Sequence, residues 1–351
     1  MEILLRLPAK SIGRFPCVSK LWSSTITSPH FVKSFAVRSL ARPCLLAVKK
    51  EEDERVLVYS LPYRLDYPQI RVEEYQMMLP LSENSCDIPQ SVNGLISFQS
   101  FESFIIWNPT LRQHVTLPEA KLSRPFITML GYDPIGGEYK VLSMSLNGQE
   151  AQIFTVGAGE TWRTLQNSPS LIHPTMRIWR CIKGVVYYYS AQDTVVSFDV
   201  RSEKFKVIQT PKIVVNQIQR LHFSEIDVGF ISHMGRLAWF TIQDNELINL
   251  WVLEDAEKHE WLQEESVLPF EIVTVARLFY LLLSGETADG ELIYLPTWSS
   301  EEPMYANNYD LKKGSVRKVE YEGIDDKKLI FDYFPEHIEC LMSLNNLLAV
   351  S

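Results

Sequence analysis

This sequence predicts a mainly β protein: a short α-helical N-terminal segment followed by a β-propeller-like domain of about six blades. Three observations lead there. Residues 2–40 carry apolar side chains at helical spacing, the texture changes after Arg42-Pro43 to short β-rich runs, and those runs fall into a loose repeat. The competing architecture for the second region is a pair of β-sandwiches in which the repeat would be accidental.

In the first segment Ile12, Phe15, Val18/Ser19, Trp22 and Ile26 recur at steps of three or four. Leu7-Pro8 interrupts one helix and Ala9-Lys10-Ser11 opens the next. S-P-H-F closes a third, because Pro29 disfavours helix at Ser28. Three short helices in about 40 residues bury too little to hold themselves together well, so their apolar face is expected to finish its burial against something else. The boundaries read as 1–40 for this segment and 44–351 for the β domain.

Beyond Pro43, strands such as "RVLVYSLP", "FIIWN", "YKVLSM", "VVSFDV" and "LINLWVL" are separated by turn residues. One unit reads "NGLISF…FIIWNPTLRQHVTLP"; others read "KGVVYYY…VVSFDVRSEKFKVIQTP", "MGRLAWF…LINLWVLEDAEKHEWLQE" and "DGELIYLP…MYANNYDLKKGSVRKVEYEG". Each has a Gly-led strand, a second strand, a charged turn and a third strand. The turns fall near Asn108, Asp199, Glu254 and Asp310, where an Asn or Asp side chain can cap its own turn. A weaker copy is "QIFTVGAGETWRTL", and "VLVYSLP" is another candidate. The spacing, about 45–55 residues, is a propeller blade's length. Trp107, Phe198 and Trp251 occupy matching places and are expected between blades.

Composition narrows the function classes. Hydrophobic residues are 46% of 351, enough for a large core, and the longest apolar run is too short to span a bilayer, so no membrane partner is expected. Glu2 and Arg6 break any secretory leader. Cys17, Cys44, Cys86, Cys181 and Cys340 form no CxxC pair, and an odd number leaves one unpaired; cytoplasm and/or nucleus is the expected location. Charge is uneven. Residues 1–50 hold nine Lys/Arg against Glu2, a balance of +8, while the rest carries −17. The basic residues read either as a solvated helical surface or as the footprint of an acidic partner. Nucleic acid is not expected, because they are scattered and the remainder repels phosphate.

No catalytic constellation holds up. "GAGETW" lacks the third glycine of a dinucleotide loop and any βαβ context, so it reads as a hairpin turn. The seven histidines show no metal-ligand spacing; His222 and Glu225 alone are too few. There is no GxSxG or P-loop. The chain is therefore expected not to be an enzyme and to need no cofactor or metal. A propeller enzyme or lectin would require carboxylates, histidines or a metal converging on the central channel.

The stretch "EILLRLPAKSIGRFPCVSKLWSSTITSPHF" resembles the F-box in the form abundant in plant proteins, matching E-I-L-x-R-L-P-x-K-S-L-x-R-F-x-C-V-S-K-x-W at almost every fixed position. Downstream, "WNPTLRQHVTLP", "GYDPIGGEYKVL" and "FPEHIECLMSL" resemble, in order, the F-box-associated, kelch- or propeller-like domain of the same family. The resemblance implies a substrate-recognition adaptor of a cullin-type (SCF) ubiquitin ligase. The helices would bind the acidic Skp-type linker subunit and the β domain an unknown substrate protein. Carried over by similarity, Leu7, Pro8, Ile12, Val18 and Trp22 are the candidate linker contacts, against the alternative that each packs the helices internally; Phe15 is assigned to that packing.

Two departures from the family pattern bear on recruitment. The family's F-box begins about ten residues earlier with a Leu-Pro and an acidic turn, so this one is expected to be shortened. Pro16 stands where the family has Arg or Lys, and a proline inside a helix costs about 3 kcal/mol, so the second helix is expected to kink or break at Phe15. The alternative reading is thus a non-catalytic binding propeller with a vestigial F-box that no longer recruits the ligase. The long loops "SLPYRLDYPQIRVEEYQ" and "LPTWSSEEPMYANNYD" would read the target but name no ligand.

Overall fold

A computed structural model describes the chain except residues 1, 8, 52–54, 63–68, 72, 81–89, 100–102, 147–149, 159–160, 166–173, 221–227, 243–246, 270–271, 273–280, 288, 297, 300–303, 323, 325–328 and 346–351. Six antiparallel sheets stand around a ring, which settles the blade count at six. Blade II is Gln90–Val92, Leu95–Gln99, Phe104–Asn108 and Gln113–Leu117. Blade III is Phe126–Asp133, Glu138–Ser145, Ala151–Thr155 and Arg163–Thr164, so "GAGETW" does lie in a hairpin connection. Blade IV is Pro174–Ile182, Val185–Ser190, Thr194–Asp199 and Lys204–Gln209. Blade V is Val228–His233, Arg236–Ile242, Leu247–Asp255 and Glu260–Val267. Blade VI is Leu281–Glu286, Leu292–Pro296, Tyr305–Asp310 and Ser315–Glu322.

Blade I is built from both ends of the domain. Its inner strand is Leu329–His337, and outside it lie Cys44–Lys50, Arg55–Pro62 and Glu73–Met78. The pairing Ala47↔Tyr333 and Cys44↔His337 closes the ring. The six inner strands touch their neighbours all the way round. Gln69–Arg71, reaching out of blade I, adds a parallel strand to the rim of blade VI, Ile70 opposite Tyr321, so the I–VI seam is fastened at its rim as well.

Blades bury both faces against neighbours, which explains runs such as Phe104–Asn108 with every residue buried. Outer strands face water and are largely exposed, as in Glu260–Val267. The core is a circle of interblade clusters rather than one centre: Phe98, Trp107 and Phe334 between blades I and II, Tyr189, Phe230 and Trp239 between IV and V. Counting two residues on from the turn glycine gives Ile96, Val186 and Leu292, which pair with Trp107, Phe198 and Tyr309, all buried. In blade V that register leads to Leu253, because Ala238 pairs with Val252. Trp251 therefore does not match Trp107 and Phe198; it is only half-buried, two residues short of the place.

Turn chemistry fixes one end of the barrel. Five connections share one form: an Asn or Asp whose Oδ1 accepts backbone N–H groups two or three residues on, and a left-handed residue four on. These start at Asn108, Asp133, Asp199, Asp255 and Asp310 and end at Arg112, Gly137, Glu203, His259 and Gly314. In blade V the capping residue is thus Asp255; Glu254 instead pairs with Arg236. Three more turns, Asn93-Gly94, Lys183-Gly184 and Met234-Gly235, have positive φ at both residues, the hairpin geometry that suits strand twist. Gly94 has a second constraint: a Cβ there would lie 2.6 Å from both Cys340 Cβ and the Ile338 carbonyl oxygen. In a four-stranded antiparallel blade, first–second and third–fourth turns share one end. Most of these connections on one face are tight turns, the 63–72 connection of blade I being the long exception at that end, and the second–third and longer blade-to-blade connections form the other face. The helix Lys212–Arg220, which nothing in the repeat foretold, lies in one of the latter, with Val214 and Ile218 buried against blades IV and V.

The N-terminal segment folds as three short α-helices, α1 (Ala9–Ile12), α2 (Lys20–Ile26) and α3 (Pro29–Ser39). Pro16 breaks the chain as expected: Phe15–Cys17 is a separate 3-10 turn with the proline in its first turn, where the missing N–H costs nothing. Ser19 then restarts the chain by accepting the Trp22 N–H. S-P-H-F follows the end of α2 at Ile26, as expected, and it also opens a further helix. Ser28 is extended and caps α3, whose first residue is Pro29, so it is a start signal. Among the described residues the cysteines are unbridged, and no helix is long and apolar enough to cross a membrane.

The ring closure has a titratable group at its heart. His337 is buried, its Nδ1 3.0 Å from Ser91 Oγ of blade II, and burial pushes its pKa down to about 3. The folded form keeps this imidazole neutral where the unfolded chain, with an ordinary value near 6.5, takes up a proton. Its contribution is intact above about pH 6.5 and is lost progressively as pH falls toward 3. Urea midpoints measured between pH 7.5 and 4.5 should fall on acidification, and His337→Gln should flatten that slope.

Candidate partner interfaces

The helical module has a small core of Ala9, Ile12, Ile26, Phe31 and Phe35, with Leu4, Leu5, Leu7, Phe15 and Leu341 packed around it. Leu341 belongs to the C-terminal tail, so the module completes its core with a residue from the other end of the chain. Ala9 at the start of α1 donates its N–H to Glu339 Oε1 at 3.0 Å, a carboxylate at an N-terminus where it also suits the helix dipole. Lys33 on α3 donates to the Ile135 carbonyl, in the Asp133 turn. The module therefore sits on the tight-turn face, opposite the long connections.

The tail itself is seated by side chains of blade II. Asn108 is fully buried, and its Nδ2 donates to the carbonyls of Cys340 (3.1 Å) and Met342 (2.8 Å) while its Oδ1 holds the Leu111 N–H. Thr110 Oγ1 accepts from Cys340 N, and Gln113 Oε1 from Leu344 N. This explains why blade II alone uses Asn where the other four matching turns use Asp: an ionised carboxylate has no hydrogen to give two carbonyls.

The residues expected to contact a partner are divided by the structure. Ile12 has no exposed surface and is a packing residue of the module's core, so in this arrangement it offers no side-chain contact. Leu7 is half-buried against that core. Pro8 lies outside the described residues. Val18 is 65% exposed, and Trp22, 37% exposed, leans on Phe15 with ring centroids 4.8 Å apart, which leaves Phe15 in the packing role assigned to it. Leu21, 74% exposed, escaped the sequence reading, although it stands three residues on from Val18 and beside Trp22. Ile3, Val37 and Leu40 are also exposed. Of the twelve large apolar side chains exposed among the described residues, six fall in the first 40 positions. Arg14 and Lys20, both exposed, bracket Val18.

On the inner strands, polar groups do meet. Arg180 donates across the channel to Gln90 Oε1 at 2.9 Å and to the Phe230 carbonyl at 3.2 Å. Glu286 caps the Met234-Gly235 turn through the Met234 N–H and lies 2.6 Å from His233 Nδ1. Burial opposes charging His233, but the Glu286 carboxylate prevails and raises its pKa. These groups tie blades to each other. Among the described residues, no three His, Cys, Asp or Glu side chains are placed to hold a metal; His222 and Glu225 fall outside them, as do 63–68 and 300–303 of the two long loops.

Comparison with known proteins agrees with this division. The family model described as the F-box domain matches residues 1–34, and the one described as the F-box associated beta propeller domain matches residues 44–346. Among curated proteins, the Arabidopsis thaliana F-box protein At4g21240 is 39% identical, the alignment covering 99% of this chain and 89% of the relative. At1g47790 is 37% identical over 98% and 92%, and At5g18160 is 31% identical over 98% and 89%, both from the same plant.

The seating of the tail makes a sharp test. Asn108→Asp keeps the turn acceptor but faces two carbonyls with a carboxylate, and should cost about 2–4 kcal/mol of unfolding free energy. Asp199→Asn, at the matching turn of blade IV, should stay within about 0.5 kcal/mol by the same denaturation measurement.

Proposed function

Because this chain belongs to the F-box proteins that carry an F-box-associated β-propeller domain, we propose that it is a substrate-recognition adaptor of a cullin-type ubiquitin ligase. In this reading it is not itself a catalyst. The helical module engages an acidic Skp-type linker subunit, and the propeller holds a target protein, in the cytoplasm and/or nucleus. The observation that carries the reading is the concentration of exposed apolar side chains on the module, with Val18, Leu21 and Trp22 set among Arg14 and Lys20. Leu21 and Trp22 lie in the first turn of α2 and Val18 in the turn just before it, so the three offer an apolar patch at a helix start that a partner's groove can cover. Their basic surround steers an acidic partner onto them. The long connections on the opposite face give the propeller a surface that a bound linker does not cover.

A second reading keeps the propeller as a binding module and treats the helices as vestigial. Two features favour it: α1 has only four residues, and Ile12 is withdrawn into the module's core.

The two readings part in one experiment. Full-length chain co-expressed with a Skp-type linker should co-purify with it. Leu21→Asp, at a site already exposed, should lower that affinity at least about tenfold with no change in Tm. Ile12→Ala should instead cost about 2–5 kcal/mol of module stability. Linker capture that survives Leu21→Asp would remove the proposed interface, and no capture by the unaltered chain would leave the second reading.

A further inference from the structure

The rim strand of blade V, Glu260–Val267, is the longest blade edge that has no further strand beyond it among the described residues. Its eight residues pair with Leu247–Asp255 on one side only. The sequence E-W-L-Q-E-E-S-V contains none of the proline or lysine that commonly closes an edge, and Leu262 and Val267 are 48% and 61% exposed. The same molecule displays what such an edge accepts. The matching rim strand of blade VI, Ser315–Glu322, carries Gln69–Arg71 as an added parallel strand.

Charge selects the occupant. Residues 254–267 contain six acidic side chains and one lysine, a balance of −5. Glu254, Asp255 and Glu257 are held by Arg236, Lys258 and Lys206, and Glu264 lies 3.5 Å from His233. Glu260 and Glu265 are exposed on the strand itself. A second copy of this chain would bring the same negative edge against this one, and nucleic acid would be repelled. An extended cationic peptide would gain ladder hydrogen bonds, apolar contact with Leu262 and opposite charge together.

We propose that Glu260–Val267 binds an extended, lysine- or arginine-rich segment of a partner protein by strand addition. This deepens the adaptor reading by naming the class of target, a basic unstructured tail gripped at the propeller's rim; the binding itself does not require the ligase.

The test uses the full chain and a synthetic eight-residue peptide of alternating lysine and valine, with a glutamate–valine peptide as control. Amide hydrogen exchange should slow across 260–266 when the basic peptide is added, and stay unchanged on the rim strands 204–209 and 73–78. The double variant Glu260→Lys/Glu265→Lys should weaken binding about tenfold while Tm holds. Absence of protection, protection on other edges, equal affinity for the acidic peptide, or equal affinity of the double variant overturns the proposal. So does concentration-dependent protection of 260–266 without peptide, which would assign the edge to self-association. Linker co-purification measured on the same preparation separates the two ideas: linker bound without peptide protection sinks this one alone, and peptide protection without linker sinks the adaptor reading alone.

Discussion

The antiparallel ladder between Cys44–Lys50 and Leu329–His337 is the constraint on which the rest of the molecule depends. A propeller blade leaves apolar surface on both faces, so a row of six is stable only when the last meets the first. Here the closing blade takes its inner strand from the C-terminal end and its outer three from the N-terminal end. Closing a loop of nearly the whole domain is entropically costly, by about 1.5RT times the logarithm of its length. The ladder closes blade I itself, the buried His337–Ser91 contact joins that blade to blade II, and the rim strand Gln69–Arg71 joins it to blade VI.

Closure also decides where everything else goes. Cys44 and His337 lie opposite each other, so the chain enters and leaves the ring at one end of blade I, on the face of tight turns. The helices that precede Cys44 and the tail that follows His337 are therefore thrown together. Leu341 enters the helical core, Glu339 caps α1, and Asn108 anchors the tail to blade II. Most connections there are tight turns, and the longer blade-to-blade connections lie on the opposite face. The placement of the helical module on one face thus follows from strand pairing.

Much of this was legible in the sequence, and the limits are physical. The Pro16 break and the turns at Asn108, Asp199 and Asp310 are local signals, and each was realised, whereas the helical spacing from Ile12 to Ile26 is interrupted by a 3-10 turn and by the extended Ser19. Trp251 was misplaced because its aromatic ring was taken to mark the place; the pairing of Ala238 with Val252 puts Leu253 there. S-P-H-F was read only as an ending because proline opposes helix before it; the same proline favours helix after it, and Ser28 both follows the end of α2 and caps the start of α3. The candidate contacts divided because family resemblance marks positions, whereas exposure depends on what the module packs against. Ile12 is packed with Phe31 and its neighbours, and Leu21 is 74% exposed. The role of Asn108 could not be seen at all, since its partners lie 232 and 234 residues away.

The junction between the two parts contains almost no slack. Four residues, 40–43, separate the end of α3 from the first strand, and the tail clamps the module from the other side. Such a joint has no swivel. Whatever is grasped by the ring is held at one bearing relative to whatever docks on the helices, as by a bracket rather than a tether. Reach between the two attachments is then set by the dimensions of the ring and not by diffusion of a flexible arm, so geometry alone would decide which side chains of a captured protein come within range of chemistry supplied from the helical end.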